Sequence, residues 1–226
     1  YSESYPKFSS RFFDLSGYKW KDGGWLESRA NKYTREKVMK NPMNIYEVHP
    51  ESWKKRHNGT FLSYSELAEE LAPYAVQMGY THIALMPVCE YYSGGAIISD
   101  TTGYFSPTSR FGDPKDFMGF VDTMHNAGIG VILEWNCSFF PEESHGISLF
   151  DGGNVYEYNI NEENSGETTV CFDICKPEVQ SFLISNAVYW ADVYHIDGIK
   201  FDDISSMLSL DYNEEDCRFS YDIYGD

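Results

Sequence analysis

Polar residues, most of them acidic, recur at the ends of the apolar runs in this chain: Glu47 and His49 close one run, Glu90 follows a second, Glu134 lies in a third, and Asp202 and Asp203 end a fourth. The most informative stretch is His195-Ile196-Asp197-Gly198-Ile199-Lys200-Phe201-Asp202-Asp203, where apolar Ile199 and Phe201 alternate with Lys200 and Asp202. That alternation marks a strand with one apolar face and one chemical face. In a sheet of parallel strands the C-terminal ends open on the crevice where ligands bind, so a carboxylate there is placed to react. Acids gathered at one rim suit glycoside chemistry, in which a retaining reaction needs a nucleophile and an acid about 5 Å apart. Two plainer readings stand beside this one. Lys200 and Asp202 could form a structural ion pair, or the acids could hold a metal. The metal reading is the weaker, because no His-x-x-x-His or Asp-x-Asp-x-Asp spacing accompanies them, and no metal site is expected.

The elements that must position these residues follow from periodicity. Met43 to His49 reads as a strand. Ser63-Tyr64-Ser65-Glu66 is a capping box, opening a helix with Leu67, Leu71, Tyr74, Ala75 and Met78 on one face and Gly79 at its end. Thr81 to Val88 is a second strand; Asp113-Pro114 then opens a helix bearing Phe117, Phe120, Val121 and Met124, closed by Gly128 and Gly130. Val131 to Trp135 gives a third strand, and Pro177 starts a helix with Val179, Phe182, Leu183, Ala187 and Trp190 on its face. Gly198 to Ile204 gives a fourth. Strands alternating with helices predict an α/β fold with a parallel sheet built from right-handed βαβ units. A (β/α)₈ barrel needs about 250 residues, so four such strands read as the first half of a TIM-type barrel. Residues 136–176 are polar and Gly-rich, a long excursion after the third strand of the kind that serves a site. Residues 1–41 lack a sustained period and read as a lead-in from a preceding domain, wrapped over a partial barrel at 42–226.

Composition narrows the partners. A net charge of -18 in 226 residues repels phosphate backbones and anionic lipid, which argues against nucleic acid and membrane surfaces. The apolar runs are too short to span a bilayer, so a cytoplasmic protein is expected. No strand leads into a Gly-x-Gly-x-x-Gly turn and no Gly-Lys-Ser/Thr loop is present, so no nucleotide cofactor, and no cofactor at all, is expected. Five cysteines without paired zinc or redox spacing read as reduced structural thiols. A half-barrel has two open edges and an open inner face, expected here to be apolar. Self-association, or pairing with a C-terminal half, is the expected outcome unless residues 1–41 and the long loop cover that face.

Several runs extend the reading: Phe13-Asp14-Leu15-Ser16-Gly17-Tyr18, Ile45-Tyr46-Glu47-Val48-His49, Thr102-Gly103-Tyr104-Phe105-Ser106-Pro107-Thr108-Ser109-Arg110-Phe111-Gly112, Phe150-Asp151-Gly152, Asn186-Ala187-Val188-Tyr189-Trp190 and Ser205-Ser206-Met207. Together they resemble the 1,4-α-glucan (glycogen) branching enzymes of the α-amylase superfamily, from about residue 13 onward. The resemblance implies a retaining transfer on α-glucan: Asp202 attacks an α-1,4 linkage, holds a glucosyl chain covalently and passes it to a 6-hydroxyl. It also places Lys200, Glu134, Ser99 and Asp100 at the sugar site. There the chain departs from the family. Lys200 stands for an Arg, Glu134 and Phe139 for an Asp and a sugar-binding His, and Ser99 and Asp100 for a stacking Tyr and a Gln. The family's general acid and a second Asp belong to barrel strands that follow the fourth. The resemblance therefore implies a degenerate active site and no turnover by this chain alone. The alternatives are a non-catalytic relative binding α-glucan or a partner, and a decayed product.

Overall fold

The computed structural model describes residues 3, 9–32, 34, 37, 40–91, 101–142, 146–148, 150–157, 169–202 and 204. In chain order the described elements are α1 (Gly23–Lys32), β1 (Ile45–Val48), the single turn α2 (Pro50–Trp53), α3 (Tyr64–Met78), β2 (His82–Leu85), β3 (Cys89–Tyr91), β4 (Thr101–Pro107), α4 (Pro114–Asn126), β5 (Gly130–Asn136), β6 (Phe139–Pro141), β7 (Thr169–Cys171), α5 (Pro177–Val193) and β8 (Gly198–Asp202). Strands β1, β2, β5 and β8 form one sheet in that order, every pair parallel. The expected α/β partial barrel is what the chain forms.

Register decides which side chains share a face. Glu47 pairs with Ala84, Ala84 with Ile132, and Ile132 with Gly198, so Glu134 and Lys200, two residues further along, lie on that same face. The alternate residues Val48, Ile83, Leu85, Val131 and Leu133 point the other way. They are buried with Leu67, Leu71 and Ala75 of α3, Phe117, Phe120, Val121 and Met124 of α4, and Trp190 of α5. Each Val, Leu, Ile, Phe or Met side chain among them contributes about 1.5–3 kcal/mol through burial. A wholly apolar inner face was expected; the face is mixed, with Ile45, Ala84 and Ile132 beside Glu47, Glu134 and Lys200. Ile45 on β1 and Phe201 on β8 are exposed, one on each outer strand.

The sheet is curled. Lys200 on β8 forms an ion pair with Glu47 on β1, the opposite outer strand. Three strand spacings separate those strands by about 14 Å in a flat sheet, a gap that two side chains standing off a flat surface would not close.

Two capping boxes fix the helices that cover the sheet. Ser63 accepts from the Glu66 amide while Glu66 accepts from the Ser63 amide, and Gly79 ends α3 at φ 76°. Asp113 and Asp116 make the same reciprocal pair at α4, with Pro114 in its first turn. Gly130 is required for a different reason: a Cβ there would lie 2.3 Å from the His82 ring.

Glu66 offers a stability test. Hydrogen bonds from Arg56, then from Ser63, hold its carboxyl at about 2. A depressed carboxyl stabilises the fold fully above its unfolded value of about 4.3 and stops doing so as pH falls through about 2. The urea midpoint of the wild type, measured against Glu66→Gln, should therefore converge on that of the variant across this window. A gap that stays constant with pH would contradict the assignment.

Two elements differ from the sequence reading. Helix α1 lies where no apolar period exists, because polar contacts hold it: Trp25 Nε1 donates to Asp197 at 2.8 Å, and Arg29 Nη1 donates to the same oxygen at 3.0 Å. Met78, placed on the core face of α3, is exposed in the last turn of the helix. Within the excursion, which stays outside the four-stranded sheet, β6 and β7 form an antiparallel pair packed with Tyr104, Phe172, Val179 and Leu183.

Candidate functional site

Lys200 is the hub of the strand-end site. Its Nζ donates to Glu134 Oε2 at 2.7 Å and also to Glu47 Oε1. The Glu134 side chain is 1% exposed and that of Lys200 41%, so the buried carboxylate depends on this cation for its charge balance. Hydrogen bonds to Glu134 and then Glu47 push the lysine above its ordinary range, outweighing the opposing effect of burial. Lysine thus stays charged and occupied.

Asp202 is the last residue of β8, in register with Asn136 of β5. Ser99, Asp100, Asp203 and the side chain of Asp202 lie outside the described residues. Of the sequence-derived site, then, Lys200 and Glu134 come together, Glu47 joins them from across the sheet, and Asp202 follows two positions along the strand. Asn136 was not singled out by the sequence, yet its Oδ1 accepts from the Ser138 amide at 3.0 Å and the Phe139 amide at 3.1 Å. This Asx-type turn sets the start of β6. Phe139, where the resemblance places a sugar-binding His, presents no donor to a hydroxyl.

Glu90 has a different job from the one its position suggested. It is buried; Arg110 Nη1 donates to it at 2.6 Å and the Ser109 amide at 2.9 Å. Arg110 also donates to the Tyr91 carbonyl at 3.0 Å and lies 4.0 Å from the Tyr91 ring centroid. Such a satisfied pair anchors the β3–β4 region and commits Glu90 to internal bonds. His49, the other strand-end candidate, meets Ser52 Oγ at 3.1 Å.

A second charged cluster sits at the opposite, N-terminal end of the strands. His125 bridges Asp22 and Asp197 at 2.9 Å each, and His195 meets Asp22 at 2.8 Å. Burial works to raise both aspartates, but hydrogen bonds from His195 and His125 leave Asp22 below the ordinary carboxylate range, and those from His125, Val131 and Trp25 do the same for Asp197. In barrels this end serves stability. Among the described residues no group of His, Cys, Asp and Glu is arranged to hold a metal. Cys89 and Cys137 are buried and unbridged, and burial pushes the Cys89 thiol up to about 12, which makes it unreactive.

The 1,4-alpha-glucan branching enzyme of Rubrobacter xylanophilus is 44% identical to this chain over 218 residues, covering 96% of the chain and 30% of the enzyme. That of Bacillus subtilis is 47% identical over 212 residues, covering 92% and 33%. The chain is a relative of the branching enzymes. It spans about 30% of the length of the curated relatives it matches. No protein-family profile matches it. Among solved structures, an alpha-amylase candidate from Salmonella typhimurium superposes with a TM-score of 0.70 at 24% identity, covering 90% of this chain and 31% of the other. The alpha-amylase of Geobacillus thermoleovorans gives 0.59 at 18% identity, covering 71% and 40%. These two likenesses bear on the fold alone, and they agree with a segment of barrel wall. No described helix is long and apolar enough to cross a membrane.

Proposed function

We propose that this chain carries the strand-end part of an α-glucan transglycosylase site centred on Asp202, and that by itself it does not turn over α-glucan. The observation that carries this reading is the engagement of Lys200 by Glu134 and Glu47. In a retaining transfer a carboxylate oxygen bonds to the anomeric carbon as the glycosidic C–O bond breaks, and the leaving oxygen takes a proton from an acid. An acceptor 6-hydroxyl then displaces the carboxylate and loses its own proton. The nucleophile must be held in line. A guanidinium does this with a two-pronged fork, whereas an ammonium is a point charge without that geometry, and here it is already shared by two carboxylates. Losing one oriented partner of the transition state costs on the order of 10²–10³ in rate. Phe139 removes a further donor from the same region.

Amylose incubated with the chain should keep its iodine colour and gain no reducing ends. A colour loss that requires the protein and disappears in Asp202→Asn would overturn the proposal.

The second reading, a non-catalytic α-glucan binder, is favoured over decay by one contrast: both helix caps and the apolar core are intact, while the substitutions gather at the sugar site. Affinity electrophoresis through glycogen should give saturable retardation. Unchanged mobility would favour decay.

A further inference from the structure

We infer that Asn186 is a positioning residue for the strand-end site, acting through Trp135. An asparagine in the middle of a helix has poor helix propensity, and a carboxamide removed from water must have its hydrogen bonds made for it. Asn186 lies within α5 and is fully buried. Its Oδ1 accepts from Trp135 Nε1 at 2.7 Å, and its Nδ2 donates to the Tyr104 carbonyl at 2.7 Å. Trp190, one turn further on, donates Nε1 to the same carbonyl at 2.9 Å. One side chain therefore joins α5 to β5 and to β4.

Both strands lead to the site. Trp135 lies between Glu134 and Asn136, the residues that hold Lys200 and the β6 turn respectively. Because side chains alternate along a strand, fixing the Trp135 indole on the helix side fixes the tilt of β5 that aims Glu134 at Lys200 from the other side. Tyr104, the other anchor, donates its hydroxyl to the Phe139 carbonyl at 3.2 Å, so the same carboxamide also steadies the Phe139 rim. Asn186 is fully buried, so it reaches the site only through these strands. Asn186 acts through the strand, and the inference stands whether or not the chain binds glucan, because its test reads the lysine and not the sugar.

The test is competitive acylation of lysines at one fixed pH, with Lys200 and Lys54 quantified by peptide mass spectrometry. Lys54 pairs with Glu70 away from β5 and reports general loosening. Amines react as the free base, and one pKa unit changes the free-base fraction tenfold. Asn186→Ala should raise the labelling of Lys200 relative to Lys54 by about tenfold, and Trp135→Phe, which keeps an aromatic ring but deletes the indole donor, should do the same. Should Asn186→Ala fail to fold, Trp135→Phe decides alone. An unchanged ratio in a folded variant would overturn the inference. So would a parallel rise at Lys54, since that marks global loosening.

Discussion

Replacing Asp197 by alanine is expected to destabilise the chain by about 3–5 kcal/mol, the range for removing one partner from a buried, hydrogen-bonded charge cluster. Four donors converge on this carboxylate: Trp25 Nε1 at 2.8 Å, Arg29 Nη1 at 3.0 Å, His125 Nε2 at 2.9 Å and the Val131 amide at 2.7 Å. Its side chain is 4% exposed, so water would not easily replace it. The Val131 bond ties the turn before β8 to the start of β5, and the Trp25 and Arg29 bonds tie α1 to both. Losing Asp197 thus loosens the lead-in and the sheet together. Urea unfolding with linear extrapolation measures the loss. A cost below about 1 kcal/mol, the size of a single ordinary hydrogen bond, would mean the cluster does not act as a unit.

The second large effect is at the site itself. Lys200→Met should cost about 3 kcal/mol, at the low end of that range because the lysine is partly exposed. What it leaves behind decides the figure: Glu134, 1% exposed, loses the cation that offsets its burial. Adding Glu134→Gln to Lys200→Met should recover most of the loss, since the amide carries no charge to strand. Additive losses in the double variant would contradict this. The pH dependence has the matching sign. Lysine is raised above its ordinary value, so its contribution is complete below the unfolded value of about 10.4 and disappears only as pH rises through the higher folded value.

Much of the scaffold was legible because local rules act alone there. Ser63 and Glu66, or Asp113 and Asp116, specify a helix start by chemistry within four residues, and Phe117, Phe120, Val121 and Met124 declare a buried face by period. The sheet order followed from alternation of strands and helices. What escaped was long-range. Glu47 and Lys200 are 153 positions apart and on opposite outer strands, so only the curl of the sheet brings them together. Helix α1 was invisible to an apolar-period argument because its hold on the barrel is ionic. Glu90 carried a rim acid's position in sequence, and only the placement of Arg110 showed that its carboxylate is consumed internally. The Lys200–Asp202 ion pair considered from sequence has strong rivals in Glu134 and Glu47, neither of which adjoins Lys200 along the chain.

The central proposal is that Lys200, paired with Glu134 and Glu47, answers to those two carboxylates and not to Asp202. Direct NMR titration of the Lys200 ammonium, in the wild type and in Glu134→Gln and Asp202→Asn, tests it. The expected result is a wild-type titration above the ordinary lysine value of about 10.4, a clear fall in Glu134→Gln, and little change in Asp202→Asn. An ammonium indifferent to Glu134→Gln but shifted down by Asp202→Asn would contradict it, and would return Lys200 to the nucleophile.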